Sequence, residues 1–193
     1  KLGAILEKEI VDQMPKWFKS KSRRHKILIQ TTLGGIPTIE MICKKFKVES
    51  FVFGEEEKLV NGISEVVWNH TTLQMRSKDK NWTYLQMLLP LNNELELIDV
   101  LRKKWGKKVL WHIEAVSQQG SPRLAALPVL KWNGVEELNE IMDDCKKLGA
   151  FIFNPHVLTV EGGGLGVVDA DQVKAKLKFD PKGLLNPGKL EGW

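Results

Sequence analysis

The feature that most narrows the fold is the order in which apolar runs switch between strand and helix spacing, each run closed by glycine or proline. KILIQTTL (26–33) is apolar and β-branched, as a strand requires. Gly34-Gly35 breaks it before Pro37 opens a helix carrying Ile39, Ile42, Cys43 and Phe46. VESFVFG (48–54) alternates and stops at a glycine, after which Glu55, Glu56 and Glu57 place negative charge on the first turn of a helix bearing Leu59, Ile63, Val66 and Val67. TYLQMLLP (83–90) reads as a third strand, followed by a helix through Leu95, Ile98, Leu101 and Trp105 with Asn92 or Asn93 as its cap. KVLWHIEAVS (108–117) and PRLAALPVLKW (122–132) are neighbouring strands parted by QQGS, the spacing of a hairpin. NGVEELNEIMDDCKKLG (133–149) is an amphipathic helix closing on Gly149, and AFIF is a short final strand. Ahead of all these, Leu2, Ile5, Leu6, Ile10 and Met14 recur near helical spacing and predict an entry helix ended by Pro15.

The order α, β-α, β-α, β-α, β-β, α, β predicts an α+β fold, with a mainly antiparallel or mixed sheet and helices on one face, rather than a uniformly wound parallel sheet. A chain of 193 residues, 42% hydrophobic and 27% charged, is long enough to bury a proper core under such a sheet. No apolar run approaches the roughly 20 residues of a membrane span. After His156 the character changes to a glycine-rich stretch, a short polar helix and a proline-glycine tail. The expected division is therefore an α+β domain over 1–156 and an extension over 157–193.

The net charge of +5 is a mild excess of 29 basic over 24 acidic residues. Part of it is concentrated in KWFKSKSRRHK (16–26), which holds no acid and interleaves Trp17 and Phe18, so it offers a phosphate-contacting patch; a solvated loop is the plainer reading, and nucleic acid is the weaker partner. Cys43 and Cys145 stand far apart without a C-x-x-C pattern. They read as two buried thiols in a reducing, intracellular compartment, cytoplasm and organelle being equally compatible. No signal-peptide core opens the chain.

Two stretches bear on chemistry. EGGGLG (161–166) lets backbone approach an anion or a planar ligand closely, yet no Lys-Ser/Thr follows as in a phosphate loop, and the spacing is not that of a dinucleotide fingerprint. In FDPKGLLNPGKL (179–190), Pro181 and Pro187 fix φ, Gly183 and Gly188 permit turns, and Leu184 and Leu185 can anchor in a groove. Asn186, standing before proline, is expected to be extended and to present donor and acceptor to a ring edge.

This ending resembles that of the FAD-linked oxidases and dehydrogenases of the vanillyl-alcohol-oxidase type, especially the glycolate oxidase and D-lactate dehydrogenase branch, whose chains finish on a K-x-x-x-D-P-x-G-x-x-N-P-G-K-like signature. Lys176, Asp180, Pro181, Lys182, Gly183, Leu185, Asn186, Pro187, Gly188 and Lys189 match it. The resemblance implies that residues 1–156 form a cap, that the tail returns to a flavin domain supplied by an N-terminal part of the chain or by another subunit, and that the cofactor is FAD. It puts Glu161, Gly162, Gly163, Gly164, Asn186, Gly188 and Lys189 on the cofactor side. The metal-using members carry D-G-N-x-H and E-H-G-I-G elements; here Glu161 matches, Gly162 stands at the histidine position and D-G-N-x-H is absent, so no metal is expected. His112 reads as a core histidine.

WNHTTLQMRSKDKNWTYLQ (68–86) is polar and aromatic as the wall of a substrate pocket would be, with a hydrogen-bonded loop as the alternative, and FNPH (153–156) sets His156 just ahead of the glycines. His70, Arg76 and His156 are the candidate catalytic, substrate-positioning residues. The expected function is the cap portion of an oxidoreductase passing a hydride from a small hydroxy acid or alcohol to flavin; the alternative is a non-catalytic homologue kept as a scaffold subunit of a larger assembly.

Overall fold

The structure, a computed structural model, describes residues 3–19, 24–52, 71–165, 168 and 170–191. The chain enters as strand β1 (Gly3–Leu6), makes two short helices, α1 (Lys8–Val11) and α2 (Lys16–Lys19), and returns as β2 (Lys26–Ile29). A 3-10 turn (Leu33–Gly35) leads into α3 (Ile36–Lys45), and α4 (Thr71–Lys78) precedes β3 (Trp82–Tyr84) and β4 (Gln86–Leu88). Then come α5 (Glu94–Trp105), β5 (Val109–Leu110), β6 (His112–Gln118), β7 (Ser121–Ala126) and β8 (Val129–Lys131). Helix α6 (Val135–Lys147), β9 (Phe151–Phe153), a π-helical turn (Glu161–Leu165) and α7 (Ala170–Phe179) complete the order.

The fold is α+β with antiparallel sheets. One sheet runs β2-β1-β6-β7-β4-β9 and the other β3-β8-β5, every pair antiparallel. Three sequence runs cross from one sheet to the other. TYLQMLLP divides at Leu85, KVLWHIEAVS at Trp111, and PRLAALPVLKW at Leu127-Pro128. Pro128 has no N–H for the ladder, so pairing is interrupted there and resumes in the same register, Met87 opposite Ala126 before it and Tyr84 opposite Val129 after it. Leu127 N–H reaches His112 O at 2.8 Å and Leu85 N–H reaches Pro128 O at 3.2 Å across the break. Each run expected to be one strand is thus two short strands that belong to different sheets.

The hairpin forms where QQGS places it. Gln118 pairs with Ser121, and Gln119 (φ 50) and Gly120 (φ 80) between them make a two-residue turn with both φ positive, whose twist matches the strands it joins. Helices α5 and α6 follow the sequence closely. Both carry acids in the first turn and lysines in the last, which suits the helix dipole, and α6 ends beside Gly149 at φ 87.

The start of the chain differs from expectation: residues 3–6 are a strand, and only 8–11 of the expected entry helix are helical. Ile5 pairs with Ile113, more than a hundred positions away, and β1 sits between β2 and β6. That long-range ladder outweighs a local periodicity that strand alternation satisfies equally well: Ala4 and Leu6 are buried while Ile5 faces the other side. Residues 48–52 form no strand; the rest of that expected strand and the helix through Glu55 to Val67 lie outside the described residues.

Helices cover both faces, which corrects the expectation of one. Ile113, Ala126, Met87 and Ile152 form a row across the sheet and pack with Leu97, Leu101, Leu138, Ile141 and Cys145 of α5 and α6. Ala4 and Leu6, on the opposite face, pack with Ile10 and Val11 of α1, Met14, Phe18 of α2 and Met75 of α4. Each fully buried leucine or isoleucine contributes about 1.5–3 kcal/mol, so the sheet is held by two cores rather than one. Among the described residues no helix is long and apolar enough to cross a membrane.

Candidate functional site

The tail folds around one carboxylate. Asp180, the residue after α7, accepts the amides of Leu184 at 2.8 Å and Leu185 at 2.9 Å and pairs with Lys176 one turn earlier. Lys176 also donates to Leu185 O. The hydrogen bond from Lys176, helped by the two amides, holds the Asp180 carboxyl below the usual aspartate range although burial opposes it. The two prolines therefore flank a clip of charge-assisted hydrogen bonds. Outside this clip Leu184 is 72% and Leu185 62% exposed.

Asn186 is not extended. Its φ is +47, a left-handed conformation that asparagine tolerates better than most residues, and it turns the chain together with Gly183 (φ 63) and Gly188 (φ 73). The bias imposed by Pro187 yields to this local turn, in which Lys189 N–H lies 3.3 Å from Asn186 O. Asn186, Gly188 and Lys189 are all exposed.

Beyond the turn the tail lies along the glycine run. Val160 N–H donates to Lys189 O at 2.9 Å, Glu191 N–H to Glu161 Oε1 at 3.0 Å, and the Thr159 hydroxyl to Glu191 at 2.9 Å. Gly162 and Gly163 donate their amides to Thr159 Oγ1 and Val160 O, so those two N–H groups are engaged within the protein rather than offered to an anion. Gly163 O accepts from Asn154 at 2.8 Å, which fastens the turn, Gly164 included, to the end of β9. A Cβ on Gly162 would lie 3.1 Å from Thr159 Oγ1. Glu161 Oε2 is buried without a hydrogen-bond partner.

His156 belongs to the same assembly. Its backbone N–H donates to Asn154 Oδ1 at 3.0 Å, and its Nε2 lies 2.7 Å from Tyr84 O and 3.3 Å from Thr83 Oγ1. A carbonyl only accepts, so Nε2 carries hydrogen and Nδ1 is the acceptor of the neutral ring. The ring stands edge-on to Tyr84, with centroids 6.0 Å apart. Arg76 donates from Nη1 to Trp82 O at 2.6 Å. Arg76 and His156 thus attach to successive residues of β3, and hydrogen bonds continue from His156 through Asn154, Gly163, Val160 and Lys189 to Asn186. His70 lies outside the described residues.

His112 lies in the core, as its sequence context suggested, but its buried polar partners and the role of Arg123 were not foreseen. Thr71, His112 and Glu114 form a buried cluster in which His112 Nε2 lies 3.4 Å from Glu114 Oε1. His112 and Glu114, two apart in β6, share a face by strand alternation; the approach of Thr71 to that face is what the sequence does not record. Arg123, in β7, lines an open cleft between β9 and the hairpin. Among the described residues no group of three or more His, Cys, Asp or Glu is placed to hold a metal ion.

No protein-family model matches the chain, and no curated protein matches it.

Proposed function

We propose that this chain is the cap and C-terminal portion of an FAD-dependent oxidoreductase acting on a small hydroxy acid or alcohol. The observation that carries the reading is the tail: a clip whose polar groups are satisfied internally while Leu184 and Leu185 remain on its surface. A segment this ordered with its apolar side chains outside is suited to dock on a second body. Leu177 and Phe179 of α7 are also exposed, 57% and 73%.

Flavin, when bound, takes the hydride from the substrate. The residues of this chain would do the rest. Asn186, Gly188 and Lys189 form an exposed turn with Lys189 tied to the glycine run, and a turn of this kind fits one edge of a planar ring. It does not enclose a dinucleotide, so the remaining contacts belong to the partner domain or subunit. His156, held through Nε2, would orient substrate or accept a proton at Nδ1. Arg76 would supply positive charge near a carboxylate.

The test is the visible absorption spectrum of the full-length gene product, purified with and without Leu184→Asp/Leu185→Asp. Flavin bands in the parent that fall in the variant are expected; a colourless parent protein overturns the reading.

A scaffold subunit is the second reading. It is favoured by α3, an amphipathic helix none of whose residues is buried. A pull-down that recovers free monomer alone counts against it.

A further inference from the structure

The sheet face opposite α5 and α6 is sealed near β1 and β6 but open toward β9. There it forms a cleft of about 430 Å³, lined by Leu88, Gln118, Arg123, Gly149, Phe151 and Phe153. The register explains the grouping: Leu88 stands opposite both Ala125 and Phe151, Arg123 is two residues from Ala125, and Phe153 two from Phe151. All project from one face. Phe151 and Phe153 meet edge to face at 4.9 Å between centroids, and both remain about two-fifths exposed (43% and 39%).

Arg123 is fixed in this wall. Its Nη2 donates to Leu89 O at 3.1 Å and its Nη1 to Gln118 Oε1 at 3.2 Å, while its Nε is buried without a hydrogen-bond partner. Guanidinium carries five donors in a planar fork, and these contacts leave part of it, Nε included, without an acceptor. No carboxylate is among these contacts. A buried donor left unmade is costly, and the partner that suits the fork is a carboxylate. Gln118 is exposed at the hairpin end, so a rotamer change of that side chain opens the way to Arg123.

We propose that this cleft binds a small carboxylate bearing an aromatic or apolar group, its carboxylate on Arg123 and its apolar part against Phe151, Phe153 and Leu88. The cleft is open and of mixed lining, with Arg123 and Gln118 facing Leu88, Phe151 and Phe153, and its volume lies within the roughly 300–1,000 Å³ of small-molecule sites. The site stands on the sheet face alone and needs no flavin, so it stands or falls separately from the oxidoreductase reading.

The probe is phenylacetate, with phenylacetamide as the uncharged isostere, titrated into the flavin-free chain by ¹H–¹⁵N NMR. Phenylacetate should shift amides over 116–124 and 149–154, and phenylacetamide should bind on the order of tenfold more weakly, the loss expected for a charge-assisted hydrogen bond. Arg123→Met should abolish that preference. Phe153→Ser, at a partly exposed position of β9, should weaken phenylacetate binding several-fold while the amide spectrum outside the cleft stays that of the folded parent. No shift in the cleft, equal binding of acid and amide, or unchanged affinity in Phe153→Ser overturns the proposal.

Discussion

Thr71 Oγ1 and His112 Nδ1 lie 2.7 Å apart in the interior, linking the first residue of α4 to the first residue of β6. His112 has no solvent exposure. Whichever ring nitrogen holds the proton, the hydroxyl can serve it as donor or acceptor. The contact therefore binds a helix to the sheet at the break between β5 and β6.

Thr71→Val should consequently destabilise the fold by about 1–3 kcal/mol, because it keeps the shape and leaves a buried ring nitrogen without a partner. Thr71→Ser retains the hydroxyl and should recover most of the loss. Urea unfolding of the three proteins measures both effects.

Glu7, the residue after β1, holds the same break between β5 and β6. Its Oε2 accepts Trp111 N–H at 2.9 Å, its own N–H reaches Trp111 O at 3.1 Å, and Arg102 pairs with its other oxygen. Glu7→Ala strands a buried backbone amide and should cost about 1–3 kcal/mol; Glu7→Gln keeps an acceptor and should cost less. A larger loss for Gln than for Ala in thermal unfolding would contradict this account.

The hairpin predicts a backbone effect. Gly120 sits at φ 80 with no atom near enough to crowd a Cβ, so Gly120→Ala meets conformational strain alone, roughly 1–2 kcal/mol. Gln119→Asn, at φ 50, places a residue better suited to that region and should be neutral or stabilising. Chemical denaturation distinguishes the two signs.

The hairpin and helices α5 and α6 were legible because local chemistry decides them: turn residues, first-turn acids, last-turn lysines and a single apolar stripe all agree. The strand at Gly3–Leu6 was not, because Ala4, Ile5 and Leu6 suit either period and the decision lies with Ile113 and its neighbours. The breaks at Leu85, Trp111 and Pro128 lie beside one another in three paired runs, which no single segment records. In the candidate site, Glu161, Gly163 and Lys189 were singled out by the resemblance of the chain's ending to that of the FAD-linked oxidases. Their mutual hydrogen bonds, and the left-handed turn at Asn186, depend on the tail crossing residues 159–161. Arg123 carried no local signal at all; strand pairing through β4 places it on the same sheet face as Phe151, in one cleft.

The two thiols should differ sharply. Burial, with a smaller effect of the Asp144 charge, pushes the Cys145 thiol up to about 12, whereas Cys43 is partly exposed. Since the thiolate is the reactive form, Ellman's reagent at about pH 8 should titrate one thiol in the native protein and both in denaturant. Rapid reaction of both in the native state would place Cys145 outside the α6 core.

The tail clip gives a pH dependence of definite sign. The folded-state pKa of Asp180 lies below its ordinary value, chiefly through Lys176, so the clip's contribution is complete above the usual aspartate pKa of about 3.9 and is lost as pH falls through the lower folded value. The amides of Leu184 and Leu185 should therefore stay protected from hydrogen exchange at about pH 5 and lose protection only in stronger acid. Lys176→Met removes the largest cause and should move that loss toward the ordinary aspartate range. Asp180→Asn should abolish the pH dependence while loosening both amides at every pH. Protection in Lys176→Met that follows the parent profile would mean that the two backbone amides alone hold the carboxylate, and the lysine's role in the clip would have to be abandoned.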